Sequence, residues 1–261
     1  MKVALFSTCI GDALFPDASK ATAVILSRLG CEVIFPQEQT CCGQMHINSG
    51  YQKETTAFIK NYVEAFSDNS IDYVVAPSGS CVGTIREQHE RVARRYGTQA
   101  LADGAKTTSA KTYDLPEFLI DVLETDQLGA FFPHKVTYHP SCHGLRFIKL
   151  GDRPYRLLKN VEGLELIDLP NSEECCGFGG TFALKNAATS AAMVTDKTRN
   201  IESTGAEYIT GGDSSCLMNI AGALSRKRAG IRAVHIAEIL ASTKKHPLSP
   251  TSAIYSKEDM L

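Results

Sequence analysis

The chain has 261 residues, 43% of them apolar and 21% charged, enough for one large or two modest domains with a real hydrophobic core. A formal net charge of −2 removes any electrostatic case for nucleic acid or an anionic membrane as partner, and no apolar run reaches the length of a membrane span. The opening "MKVALFSTC" carries one lysine and no small-residue cleavage site, so it reads as a first strand, with a cytoplasmic location as the default.

In chain order, "KVALFST" (2–8) is expected as a strand and 17–29 as a helix. Ala21, Val24, Ile25 and Leu29 share a face of that helix, and Gly30 suits its C-terminal turn. Strand "CEVIFP" (31–36), a helix over 50–66 and strand "IDYVVAP" (71–77) follow. The stretch 98–112, rich in Thr, Ser, Ala and Lys, reads as a surface loop. Further on, "KVTYH", "LELIDLP", "AEYITGG" and "IRAVHI" are strand-like, with helices near 154–160, 181–203 and 215–228. Residues 243–261 read as a polar, poorly ordered tail. Alternating strands and helices predict an α/β fold with a doubly wound parallel sheet in each half.

The halves are copies. Eight of nine cysteines form two matched sets: Cys9, Cys41, Cys42 and Cys81, then Cys142, Cys175, Cys176 and Cys216. The gaps are 31 and 38 residues in the first set and 32 and 39 in the second, so the copies are offset by 133 to 135 residues. Flanking residues agree: Pro36 and Pro170 each precede their pair by five residues, "SGSC" (78–81) answers "DSSC" (213–216), and "DLPEFL" (114–119) answers "HIAEIL" (235–240). These matches divide the chain into a first unit, 1–129, with an insertion at about 98–112, a second unit, 130–242, and the tail, 243–261. Cys31 has no counterpart and is expected as a buried core thiol.

Each cysteine position follows the C-terminal end of an expected strand, the edge at which open α/β sheets bind ligands. Clustered thiols in a reducing compartment point to metal or redox chemistry, and the odd count argues against a fully paired disulfide set. Vicinal thiols suit a centre with several metal ions. Four thiolates also suit tetrahedral zinc, although neither set contains the short Cys-x₂-Cys knuckle common in zinc sites. Cys81 and Cys216 are expected to open helices, and Gly43 and Gly177 to let backbone approach the centre. His46, His139 and His143 lie beside cysteines and could be ligands or proton donors, though such histidines are more often solvated or simply buried. "CGFGG" (176–180) lacks the full dinucleotide-binding glycine pattern.

The repeated Cys-x₃₁-Cys-Cys-Gly-x₃₇-Cys pattern resembles the cysteine-rich CCG domain, found twice in one of the heterodisulfide reductase polypeptides and in iron–sulfur subunits of glycolate oxidase and anaerobic glycerol-3-phosphate dehydrogenase. "TCIGDALFP" (8–16), "CCGQMHINSGY" (41–51), "YHPSC" (138–142) and "CCGFGGTF" (175–182) resemble most closely the lactate-utilisation protein A family. That resemblance implies two Rossmann-like units related by a pseudo-twofold, and one or two [4Fe–4S] clusters held by the eight cysteines. It also implies an oxidoreductase subunit that works with two further lactate-utilisation subunits in oxidising L-lactate to pyruvate and is not active alone. Heterodisulfide reductase ends each unit in Cys-x-x-Cys and holds a noncubane centre with five thiolates. Ser78 and Asp213 stand at the first of those two cysteine positions here, making them candidate extra ligands, yet four thiolates already suffice for a cubane. Asp213 would otherwise cap the helix at Cys216. Zinc in one site, a thiol or disulfide reductase, and a metal-stapled scaffold remain alternatives. No flavin or nicotinamide motif is present, and no catalytic residue is assigned.

Overall fold

The computed structural model describes residues 1–248; the remainder of the expected tail lies outside the described residues. Among the described residues, eight strands form two four-stranded parallel sheets. In the first half, β1 (Lys2–Leu5), β2 (Glu32–Ile34), β3 (Tyr73–Ala76) and β4 (Thr112–Asp114) run in the order β2-β1-β3-β4. In the second, β5 (Lys135–His139), β6 (Glu165–Ile167), β7 (Tyr208–Gly211) and β8 (Arg232–His235) repeat that order as β6-β5-β7-β8. Register repeats too: Val3 pairs with Val33, and Val136 with Leu166.

The helices of the first half are α1 (Cys9–Leu14), α2 (Pro16–Arg28), α3 (Gln44–Asn48), α4 (Thr56–Phe66), α5 (Gly79–Thr84), α6 (Glu90–Tyr96), α7 (Gln99–Ala110) and α8 (Leu115–Glu117). Single π-type turns, Ile85–His89 and Phe118–Val122, follow α5 and α8. The second half has α9 (Cys142–Arg146), α10 (Arg153–Lys159), α11 (Phe182–Lys185), α12 (Ala187–Ser203), α13 (Ser214–Lys227) and α14 (Ile236–Ala241). No helix among the described residues is long and apolar enough to cross a membrane.

Strand alternation distributes the core. Val3 and Val75 point to one face with Ile25 and Leu26 of α2, while Ala4, Phe6, Val74 and Ala76 point to the other with Tyr62 and Phe66. The first of these cores also takes in Val136, Tyr138, Tyr208 and Val234 from the second sheet, so it is shared by both halves. Helix α2 packs against α14 of the other half, and α10 packs against α8 in the reciprocal contact. Ser78 and Asp213, 135 residues apart, meet in an antiparallel bridge at the junction. These are the contacts of a pseudo-twofold. Cys31 lies in the shared core, as expected.

Three sequence expectations change. Residues 98–112 are not a surface loop: Thr98 caps α7 through the Leu101 N–H, and Ala102, Ala105, Thr108 and Ser109 form its buried face. Polarity misleads there because Thr107 and Thr108 turn their hydroxyls back onto the carbonyls of Asp103 and Gly104, which satisfies them inside a helix. The short strand β4 follows directly and was not anticipated in "TYD". The helix expected over 50–66 starts at Thr56, and the one over 181–203 is interrupted at Asn186.

Helix α14 begins in a reciprocal cap: His235 Nδ1 accepts from the Ala237 N–H, and Glu238 accepts from the His235 N–H, each at 3.1 Å. Burial pushes the Glu238 carboxyl up from 4.5 to about 7. The folded chain therefore holds this proton to higher pH than the unfolded chain. The resulting stabilisation is complete below pH 4.5 and is lost as pH rises through 7. Glu238→Gln keeps the accepting oxygen and removes the ionisation. In urea unfolding, the variant should gain up to about 3 kcal/mol relative to the unsubstituted chain between pH 4.5 and 8. Parallel pH profiles for the two proteins would contradict the assignment.

Candidate metal centres

The strand order reverses its winding between β1 and β3, and that crevice is where the first cysteine set converges. Cys9 is the first residue of α1, Cys41 and Cys42 lie in the loop before α3, and Cys81 is the third residue of α5. The thiols form one group: Cys9 donates to Cys41 at 3.4 Å, and the Cys42 thiol lies close enough to those of Cys41 and Cys81 for each to act on it. The second half repeats it as Cys142–Cys175–Cys176–Cys216, with Cys142 opening α9 and Cys216 third in α13. All eight are unpaired; Cys42, Cys81 and Cys176 are buried and the others half-buried.

Each quartet already favours thiolate. Hydrogen bonds from Cys42 and Cys9 pull the Cys41 thiol well below its ordinary value, and those from Cys142 and Cys176 do the same for Cys175. The donors Cys9 and Cys142 are pushed up, first by that bond and then by burial. A further donor to each thiolate is backbone: the Gly43 N–H reaches Cys41 Sγ at 3.4 Å and the Gly177 N–H reaches Cys175 Sγ at 3.3 Å. Both glycines are left-handed, at φ 81° and 82°. A Cβ on Gly43 would lie 2.5 Å from the Thr55 side chain, and one on Gly177 would lie 2.7 Å from the Ser190 carbonyl oxygen. Only glycine satisfies both conditions.

The halves complete each other's surroundings. Phe178, Ser214 and Ser215 of the second half join the first quartet around a cavity of about 30 Å³. A larger cleft of about 410 Å³ opens outside Cys9 and Cys41, between Phe35, Gln37 and Gln39. Gln44 contacts His143, and Ser49 bonds Thr181, across the junction.

The cysteine-rich domain CCG matches this chain twice, over residues 3–86 and 136–221. Lactate utilization protein A of Geobacillus sp. (strain WCH70) is 47% identical over 242 residues, covering 93% of this chain and all of that one. The protein of the same name from Bacillus pumilus (strain SAFR-032) is 46% identical over 244 residues, with 93% and 100% coverage. The chain belongs to the lactate utilization protein A family. A hypothetical protein from Helicobacter pylori has the same fold over 92% of this chain and 48% of its own, at TM-score 0.60 and 12% identity.

Ser78 and Asp213 are turned toward each other. Asp213 Oδ1 accepts from Ser78 Oγ and Ser80 Oγ, both at 2.7 Å, and from the Ser80 N–H at 3.2 Å. The cap expected from Asp213 is not made: Oδ1 is turned to the other half, and Oδ2 is buried without a partner. Ser78 does cap α5, accepting from the Cys81 N–H at 3.3 Å. Asp114 lies nearby with neither carboxyl oxygen partnered, and burial, then the Asp213 charge, pushes it far above the usual carboxylate range.

Of the three flagged histidines, His139 is fully enclosed, with one nitrogen within 4.8 Å of both Cys176 and Cys216 sulfurs. Burial lowers it to about 4, so the ring is neutral at pH 7. His46 packs at a tilt against Phe58 near Cys41, and His143 stacks on Phe147 in the opposite half. Sequence reasoning missed His89, whose Nε2 donates to the Cys42 carbonyl at 2.9 Å, and Asn219, which donates to the Cys176 carbonyl at 2.7 Å. It also missed Lys197, buried beside the second quartet. The spacing Ser190, Val194, Lys197 and Ile201 on α12 carried that signal, since it places the lysine on the buried face.

Removing the Asp213 carboxylate strands three donors at the junction. Asp213→Ala should lose roughly 1–3 kcal/mol of unfolding free energy in urea, and Ser78→Ala clearly less. Equal, negligible losses for both would show that this junction contact contributes nothing.

Proposed function

We propose that the chain is an iron–sulfur electron carrier in lactate utilisation, acting in the cytoplasm. Each quartet holds one [4Fe–4S] cluster, the first through Cys9, Cys41, Cys42 and Cys81, the second through Cys142, Cys175, Cys176 and Cys216. The observation that carries this reading is the pair of four-thiol groups, each assembled from three strand ends, with a glycine N–H donated to the outer sulfur of each. Relatives at 46–47% identity named Lactate utilization protein A support the metabolic assignment. A bound cluster supplies one-electron transfer. The protein's part is to present four thiolates, donate the Gly43 and Gly177 N–H groups to sulfur, and exclude water behind Cys42 and Cys176.

L-lactate gives pyruvate, two electrons and two protons. No residue here is assigned to that step, which falls to two further subunits that deliver the electrons to these clusters. Ser78 and Asp213 are read as structural, since four thiolates satisfy four irons and Ser78 Oγ and Asp213 Oδ1 bond each other at the junction. A second reading has one support: His139, Cys176 and Cys216 form a mixed nitrogen–sulfur group that would also suit zinc in the second centre.

Anaerobically purified chain should contain about eight irons and eight sulfides, with broad visible absorption bleached by dithionite. Cys42→Ala and Cys176→Ala should each lose about four irons, while Ser78→Ala and Asp213→Ala keep theirs. Reduction by lactate should require the partner subunits. Colourless protein carrying zinc, or lactate oxidation by the isolated chain with an artificial acceptor, would overturn the reading.

A further inference from the structure

The duplication allows the two centres to be compared position by position. His139 lies three residues before Cys142, and Phe6 lies three before Cys9. Along the helix after each thiol pair, buried Ser190, Val194, Lys197 and Ile201 fall 135 residues after buried Thr55, Ile59, Tyr62 and Phe66. Lys197 therefore stands where the first half has Tyr62.

In the first half this wall is aromatic. Phe6 and Tyr62 meet edge to face at 5.3 Å, in the same apolar cluster as Cys42 and Cys81. The Tyr62 hydroxyl is occupied by Thr112 at 2.7 Å. In the second half the wall is polar. His139 is 1% exposed, neither ring nitrogen has a partner, and one nitrogen lies within 4.8 Å of two cysteine sulfurs. Lys197 is 0% exposed, its ammonium held by the Asn171 and Ser172 carbonyls at 2.9 and 3.1 Å, and its charge acts on Cys176, Cys142 and Cys175. The nearest countercharge, Glu174, is exposed to solvent and bound by Asn200.

Other features balance. Each inner cysteine carbonyl accepts one side-chain N–H, from His89 or Asn219, and each outer cysteine receives one glycine N–H. Each outer cysteine also faces one partly buried histidine, His46 for Cys41 and His143 for Cys175. The differences that favour the second centre are His139, Lys197 and Arg146, which acts on the Cys142 thiol where the first half has Ala13. Asp213, standing where the first half has Ser78, is the one that opposes them, and its Oδ1 is turned to Ser78 and Ser80 across the junction.

We propose that the two centres are electrochemically inequivalent: His139 donates its N–H to a sulfur of the second centre, Lys197 places a positive charge behind it, and the second centre is reduced first. This inference rests on the reading of two [4Fe–4S] clusters. With four thiolates on four irons, the imidazole meets sulfur rather than a vacant metal position. Reduction adds one negative charge to the cluster. An N–H···S bond and a buried ammonium stabilise that charge, raising the potential, whereas the Phe6–Tyr62 wall offers neither. His139 and Lys197 are positioning residues for the electron.

The test is an EPR-monitored redox titration of the anaerobic, cluster-loaded full chain. Iron and sulfide are counted first; if they are absent, the functional reading itself fails. Wild type should give two resolved steps, and Cys176→Ala should remove the higher one. His139→Phe and Lys197→Met should each move the higher step toward the lower without loss of iron, and Phe6→His should raise the lower step. Coincident steps in wild type, a higher first centre, or unmoved steps in both His139→Phe and Lys197→Met would overturn the inference with the clusters intact. Loss of about four irons from His139→Phe would make the imidazole an iron ligand and overturn its role as donor. Lys197→Met and Phe6→His keep the electrostatic argument falsifiable if His139→Phe does not fold.

Discussion

Two neighbouring side chains cannot face one point from regular backbone, because a strand sends them to opposite faces and a helix turns them apart. The Cys41 and Cys42 thiols join the same group only because the chain leaves both forms there and turns at a left-handed Gly43, with Gly177 doing the same for Cys175 and Cys176. Much follows from that turn. It directs a backbone N–H onto the outer sulfur, adding to the neighbouring thiols that favour thiolate there, and leaves the inner thiol buried against the sheet. The flanking cysteines need no such device, since the rigid ends of β1, β3, β5 and β7 bring them to the same edge.

The halves repeat in sequence but fold as one body. Their sheets share a core, α2 lies on α14 and α10 on α8, and Asp213 is bonded to Ser78 and Ser80 across the axis. Neither half alone would present its centre in the observed surroundings, because Phe178 lines the first cavity and Gln44 reaches His143 in the second half. Burial, then the nearby Asp213, pushes the Asp114 carboxyl far above the usual carboxylate range at this junction.

Duplication also left room for divergence. An aromatic wall behind the first quartet and an imidazole with a buried ammonium behind the second use equivalent positions on the same scaffold. Backbone differs as well. Thr8 is held at φ 65° before Cys9, while its counterpart Ser141 is relaxed at φ −68°, although both cap the helix that follows. Such non-glycine strain typically costs on the order of 1–3 kcal/mol and collects at functional sites.

Spacing alone was enough to find the duplication, the eight cysteines and the parallel α/β units, because strand–helix alternation and ligand position at strand ends are written in local sequence. It failed where polarity stood in for conformation: α7 satisfies its threonines along its own turns, and β4 is too short to show alternation. Lys197 was legible in the helical period of α12 and was overlooked because a buried lysine runs against expectation. His139 could be named as a candidate but not chosen over His46 and His143, since all three sit close to cysteines in sequence. Tertiary packing separated them by enclosing His139 at the end of β5 without a hydrogen-bond partner and leaving the other two only partly buried. The link from Asp213 to Ser78 was likewise beyond one-dimensional reading, because it joins residues 135 apart through an axis that exists only once both sheets have packed.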